Sequence, residues 1–105
     1  MGFFGLFGGG SDTETIKEYL NKGAIVVDVR TPGEWAEGHV KGAKLISLND
    51  IPQNVETIKS WNKPVILVCL TGSRAGSAVK YLSQFGIDAI NGGFWQNVNE
   101  LSVLN

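Results

Sequence analysis

Metal-ligating side chains, clustered positive charge and long apolar runs are all scarce in this chain. Its 105 residues include one cysteine and one histidine. A single cysteine rules out an internal disulfide. One Cys and one His also fall short of the three or four ligands a zinc site built from these residue types needs, so no metal is expected. Nine Lys and Arg stand against ten Asp and Glu for a formal charge of −1, with no basic stripe along the chain. Nothing in that distribution calls for nucleic acid.

The opening M-G-F-F-G-L-F-G-G-G is apolar but shorter than a membrane span. It carries no Lys or Arg in front and no small-residue cleavage pattern, which makes it a poor signal peptide. Leu6 also occupies the position where an N-myristoylation motif wants Ser or Thr. Residues 1–10 read as a flexible Gly-rich lead, because glycine costs much backbone entropy to order. The sharper alternative is that Phe3, Phe4, Leu6 and Phe7 dock on a partner or a membrane surface. A lone thiol suits a reducing compartment, so the cytoplasm is the expected location, and a monomer the expected state.

What is present is enough for one domain over residues 11–105. Chains of roughly 100–150 residues form single domains, and a chain of this size buries roughly 60–70% of its unfolded surface. With 43% hydrophobic residues, a core needs no cross-link.

Ser11, Asp12 and Glu14 resemble a helix N-terminus, and Ile16, Tyr19 and Leu20 follow at helical spacing, predicting a helix over 12–22. Ala24 to Val29 is a continuous β-branched run, as in a strand covered on both faces. Pro32 opens a short helix through Trp35 and Ala36 that Gly38 closes, with Trp35 and Val40 assigned to the core. Ala43 to Leu48 is a second strand candidate, and a helix over 50–60 carries Ile51, Val55 and Ile58 on one face. Val65 to Leu70 is the clearest strand, announced by Pro64.

A helix over 74–85 follows, with Ala75, Ala78, Val79, Leu82 and Phe85 inward and Gly86 at its end. Asp88 to Ile90 forms the last strand, Gly92-Gly93 a turn, and Phe94 to Leu101 a closing helix. Trp61, Phe94 and Trp95 read as core or rim. This alternation predicts an α/β fold, with a mainly parallel central sheet of four to five strands, right-handed crossovers and helices on both faces. Ligands bind such sheets beyond the carboxyl ends of the strands, and Cys69 stands at one of those ends.

Strand, C-L-T-G-S-R and helix act as one device from Val65 to Ala78. Backbone N–H groups of the loop and the first helical turn lack intrahelical partners and can converge on the Cys69 sulfur. Thiols at helix N-termini ionise between ~3.5 and ~7.5 rather than near ~8.5, so Cys69 is expected as a nucleophilic thiolate at neutral pH. Gly72 lets the backbone curl inward, and Arg74 adds a planar cation suited to an oxyanion. The combination suits a small anionic substrate. The plainer alternative makes Cys69 a small hydrophobe ending a buried strand.

These residues resemble a known family, the rhodanese homology domain, whose active-site loop has the form C-x-x-G-x-R, here Cys69 to Arg74. Val27 to Ala43 resembles the family's first characteristic segment at every fixed position: Asp28, Arg30, Glu34, Trp35, Gly38, His39, Val40, Gly42 and Ala43. Asn91 to Phe94, N-G-G-F, resembles its turn before the last helix. The resemblance implies a rhodanese-like three-layer sandwich and a sulfurtransferase that holds sulfur as a persulfide on catalytic Cys69. Thiosulfate or a persulfide donor supplies the sulfur, and a thiol, a protein thiol among them, or cyanide accepts it.

On this reading the loop amides of Leu70, Thr71, Gly72, Ser73 and Arg74 bind the substrate, and no metal or organic cofactor is required. Asp28, Arg30, Glu34 and His39 are structural support; Arg30 and Glu34, four apart at a strand-to-helix junction, could pair. His39 is not expected to act as a base, since a stabilised thiolate needs none. Two rivals accompany this reading. A related phosphatase group uses a Cys–Arg loop with five intervening residues, whereas Leu70, Thr71, Gly72 and Ser73 make four. The other is a partner-binding or sulfur-relay module without turnover, although such inactive copies usually lose the cysteine that this chain keeps.

Overall fold

In the computed structural model, which describes residues 10–104, strands and helices alternate along the chain. Helix α1 (Thr13–Asn21) begins where Asp12 accepts a hydrogen bond from the Thr15 N–H through Oδ1 at 2.8 Å. Strand β1 (Ile25–Asp28) leads to the short α2 (Pro32–Ala36). There Thr31 and Glu34 form a reciprocal capping box, each side chain meeting the other's backbone N–H. Strand β2 (Lys44–Leu45), two 3₁₀ turns and α3 (Val55–Trp61) follow. Then come β3 (Val65–Cys69), α4 (Ser73–Ser83), β4 (Ala89–Phe94) and α5 (Trp95–Leu104).

The four strands are ordered β2-β1-β3-β4, and every pair is parallel. Alternation along the central strands sends side chains into two separate cores. On one face Val27, Val65, Leu67 and Cys69 pack with Ile58 of α3 and with Ala75, Ala78 and Leu82 of α4. On the other, Val26, Ile66 and Val68 pack with Ile16 of α1 and Val98 of α5. Helix layers therefore cover both faces of the sheet, the three-layer α/β sandwich expected from the alternation, with four strands.

Several local expectations are corrected. The second strand, expected over Ala43 to Leu48, reduces to Lys44–Leu45 at the sheet edge. The chain still runs beside β1, with the Ile46 and Leu48 N–H groups donating to the Asp28 and Val29 carbonyls at 3.0 Å each. The helix over 50–60 is split, because Pro52 has no N–H to continue it, so two 3₁₀ turns precede α3. Ile51, Val55 and Ile58 are nonetheless all buried.

Gly92-Gly93 is not a turn. Both residues lie inside β4, where Leu67 pairs with Asn91 but Val68 pairs with Gly93, leaving Gly92 as the extra residue of a bulge. Gly92 presses so closely on Ile66 that a Cβ there would meet its Cγ2 at 2.7 Å. Phe85 is 39% exposed rather than inward, because α4 ends at Ser83 and the chain turns through Gly86 at φ +76°. Trp35 is only half-buried, stacked on exposed His39, whereas Val40 is in the core as expected. Trp61, Phe94 and Trp95 form half-buried rim. The lead residues 1–9 lie outside the described residues, as does Asn105.

Candidate functional site

Cys69 is the last residue of the central strand β3, and α4 starts four residues later. Closing that distance requires a sharp reversal, which Gly72 supplies as the α4 N-cap at φ +94°. The reversal turns backbone N–H groups toward the sulfur. Gly72 N–H donates to Cys69 Sγ at 3.0 Å, and Ala75 N–H, in the first turn of α4, donates at 3.4 Å. Cys69 is fully buried, whereas Leu70, 48% exposed, and Thr71, the next two residues of the loop, are exposed. Ser73 N–H is turned instead to Thr71 Oγ1 at 3.3 Å.

Of the five loop residues expected to bind the substrate, Gly72 is the one whose amide hydrogen-bonds the sulfur among the described residues. Ala75 does so too and was not among them. Its side chain carries no chemical signal; only its place in the first helical turn, where N–H groups are unpaired, marks it. Asn91 also reaches the loop. From β4 its Nδ2 donates to the Gly72 carbonyl at 2.9 Å, while its Oδ1 accepts from Gly93 N–H at 2.8 Å.

Arg74 does not stand free beside the sulfur. Its two terminal nitrogens donate to the two Glu34 carboxylate oxygens at 2.8 and 3.0 Å. The Arg74 hydrogen bonds, followed by the Thr31 backbone N–H, hold the Glu34 carboxyl down from 4.5 to about 2. The same pair raises the Arg74 guanidinium above its ordinary value, with the nearby Cys69 and Asp28 also favouring its charge.

The possible Arg30–Glu34 pair is therefore replaced. Arg30 bonds Asp28 in a fork, Nε at 3.0 Å to both oxygens and a terminal nitrogen at 2.8 Å, and both residues are buried. The reason lies in the strand end: Asp28 closes β1 and the chain bends at Arg30, whose own N–H also donates to Asp28 Oδ1 at 3.0 Å. Arg30 also donates to the Gly38 carbonyl at 2.6 Å and lies over the Trp95 ring at 4.9 Å. His39 Nδ1 meets the Trp35 carbonyl at 2.8 Å, its ring stacked on Trp35 at 3.6 Å. Asp28, Arg30 and His39 thus brace the segment leading from β1 into β2.

A buried sulfur at a strand end, faced by two peptide N–H groups under a glycine-turned loop, defines a cysteine-centred site on a parallel α/β sheet. Residues 12–100 match the model of the Rhodanese-like domain, and the chain belongs to that family. It is 30% identical over 90 residues to a thiosulfate sulfurtransferase GlpE of Pseudomonas aeruginosa, covering 81% of each chain. A crystal structure of a rhodanese-like domain protein from Staphylococcus aureus superposes with a TM-score of 0.67 at 35% identity, over 80% of this chain and 86% of that one. A rhodanese-related protein from Thermoplasma volcanium gives 0.65 at 26% identity, over 74% and 78%. Among the described residues no helix is long and apolar enough to cross a membrane.

Proposed function

We propose that this chain is a sulfurtransferase that carries one sulfane sulfur on Cys69, taking it from thiosulfate or a persulfide donor. The single observation that carries this reading is the pair of N–H groups, from Gly72 and Ala75, directed at the Cys69 sulfur. Such donors stabilise negative charge on the sulfur before the reaction, and on the outer sulfur of a persulfide after it.

In the first half-reaction the Cys69 thiolate attacks the outer sulfur of thiosulfate. A new S–S bond forms, the old one breaks, and sulfite departs with the electron pair. In the second, cyanide or an acceptor thiolate, a protein thiol among them, attacks the outer sulfur of the persulfide. The electron pair of the Cys69 S–S bond returns to Cys69 as thiolate, so the protein is a covalent carrier that ends unchanged.

Arg74 would meet the arriving or departing oxyanion with the N–H donors Glu34 leaves unused, its charge secured by that carboxylate. Because Cys69 is buried, donors would reach its sulfur only if the loop gives way. The cytoplasm, where a lone thiol stays reduced, is the proposed compartment, and a monomer the proposed state. The four-residue interval between Cys69 and Arg74 favours sulfur over phosphate chemistry.

Incubation with thiosulfate followed by intact mass measurement tests the reading. The expected result is a gain of one sulfur atom, absent in Cys69→Ser and removed by cyanide. Uptake from neither thiosulfate nor a small-molecule persulfide would leave a partner-binding module as the better description. Hydrolysis of para-nitrophenyl phosphate without sulfur uptake would replace the reading with a phosphatase.

A further inference from the structure

We propose that Asn91 is a positioning residue for the Cys69 sulfur: by holding the Gly72 carbonyl it fixes φ and ψ at Gly72, and with them the preceding Thr71–Gly72 peptide whose N–H is directed at Sγ. The inference rests on the reading of Cys69 as the nucleophile. Gly72 is turned into the left-handed region at φ +94°, and its N–H reaches the sulfur at 3.0 Å. Its carbonyl carries two restraints from different directions: the Gly76 N–H of α4 at 2.8 Å and Asn91 Nδ2 of β4 at 2.9 Å.

The Gly76 bond belongs to the helix and would form in any helix starting here. Asn91 is the side chain that ties the loop backbone to β4 among the described residues. A glycine has no side chain to resist rotation of its φ and ψ, so an external restraint decides where its peptide groups point.

Asn91 is itself fixed for that task. Its Oδ1 accepts from Gly93 N–H at 2.8 Å, which orients the amide so that Nδ2 faces the loop. Its own backbone carbonyl accepts from Ser11 N–H at 2.6 Å. The Gly92 bulge lies between Asn91 and Gly93 and lets residues two apart share this bond. The bulge and the asparagine sit together as one device.

Arg74 of α4 is the charged group close enough to feel Cys69, and it is in turn held by Glu34 of α2 and influenced by Asp28 at the end of β1. Asn91 changes none of them, and its contribution is geometric.

The test uses the fact that Cys69 is the sole thiol: because it is buried, the rate of its alkylation by iodoacetamide also depends on access, and the midpoint of the pH profile is what reads its ionisation. Asn91→Leu keeps the shape of the side chain and removes both hydrogen bonds. Asn91→Ser keeps an oxygen near Gly93 but cannot reach the loop. Both profiles should move up by about 0.5–1 pH unit, with sulfur uptake at neutral pH falling three- to tenfold at about that scale. At pH well above the midpoint the uptake rates should converge on that of the unaltered protein.

A purely structural asparagine would lower the thermal midpoint and leave the alkylation profile in place, which overturns the proposal. The unaltered protein supplies a second measurement that does not depend on either variant folding. In ¹⁵N spectra the Asn91 side-chain NH₂ and the Gly72 amide should titrate together with Cys69, and an Asn91 signal insensitive to that ionisation also overturns it. Alkylation needs no sulfur donor, so a protein that takes up no sulfur would refute the sulfurtransferase reading without touching this result. Normal uptake with unshifted profiles would refute only the role of Asn91.

Discussion

Glu34 and Arg74, forty residues apart in the chain, meet as a two-bonded ion pair at 2.8 and 3.0 Å, joining the first turn of α2 to the first turn of α4. The pair closes one side of the cysteine loop and leaves its arginine charged yet already partnered. Each side chain keeps about a third of its surface exposed, so solvent screens the attraction.

Glu34→Gln should therefore cost less than about 1 kcal/mol at neutral pH. Glu34 is held at about 2, below its unfolded 4.5, so the unfolded state binds the extra proton between those values. The stabilisation is present above about pH 4.5 and fades as pH falls toward 2. Urea denaturation of both proteins across that range should show their difference shrinking on acidification; a constant difference would contradict the pairing.

Asp28 and Arg30 form the buried counterpart. With the two residues 0% and 3% exposed, Asp28→Asn leaves an uncompensated guanidinium in the interior. Breaking one side of such a pair costs about 3–5 kcal/mol, a large share of a typical domain's stability. Chemical denaturation should show the loss. Arg30→Lys should also destabilise, since an ammonium cannot reproduce the fork to Asp28 together with the Gly38 contact.

Gly72→Ala separates loop geometry from loop sequence. At φ +94° an alanine is strained by about 1–2 kcal/mol, and the loop relieves that strain by rotating the peptide. Sulfur uptake should fall at least about tenfold, while far-ultraviolet circular dichroism stays native. Normal uptake in Gly72→Ala would mean that the Gly72 N–H is dispensable.

His39→Ala should leave uptake within about twofold. The ring is exposed, meets the Trp35 carbonyl and stacks on Trp35, which accounts for its bonds without a proton-transfer role. The expected effect is a modest drop in thermal midpoint. A large loss of uptake, with a pH profile missing one limb, would restore His39 as a base.

Local signals read well wherever a short segment decides its own conformation. Val65 to Cys69 is apolar and follows Pro64, so β3 was evident, as was the helix carrying Ala75, Ala78 and Leu82. The C-L-T-G-S-R loop was legible for the same reason: strand end, glycine and helix start are neighbours in the chain. Gly92-Gly93 misled, because the freedom that suits glycine to a turn equally suits it to a bulge pressed against Ile66. Trp35 misled because its size suggested the core, whereas α2 is too short to bury it.

By itself the sequence determined the alternation of strand and helix, the placement of one thiol at a strand end and the glycine that bends the loop over it. Each depends on residues within a few positions of one another. Tertiary structure decided which arginine meets which carboxylate, and which distant side chain steadies the Gly72 peptide. Spacing in the sequence pairs Glu34 with Arg30, and only the packing of β1 beside β3, with α2 and α4 carried along, placed Arg74 in reach while Asp28 claimed Arg30. Asn91 met the loop because β4 pairs with β3, a contact made across the sheet that local residue preference does not encode.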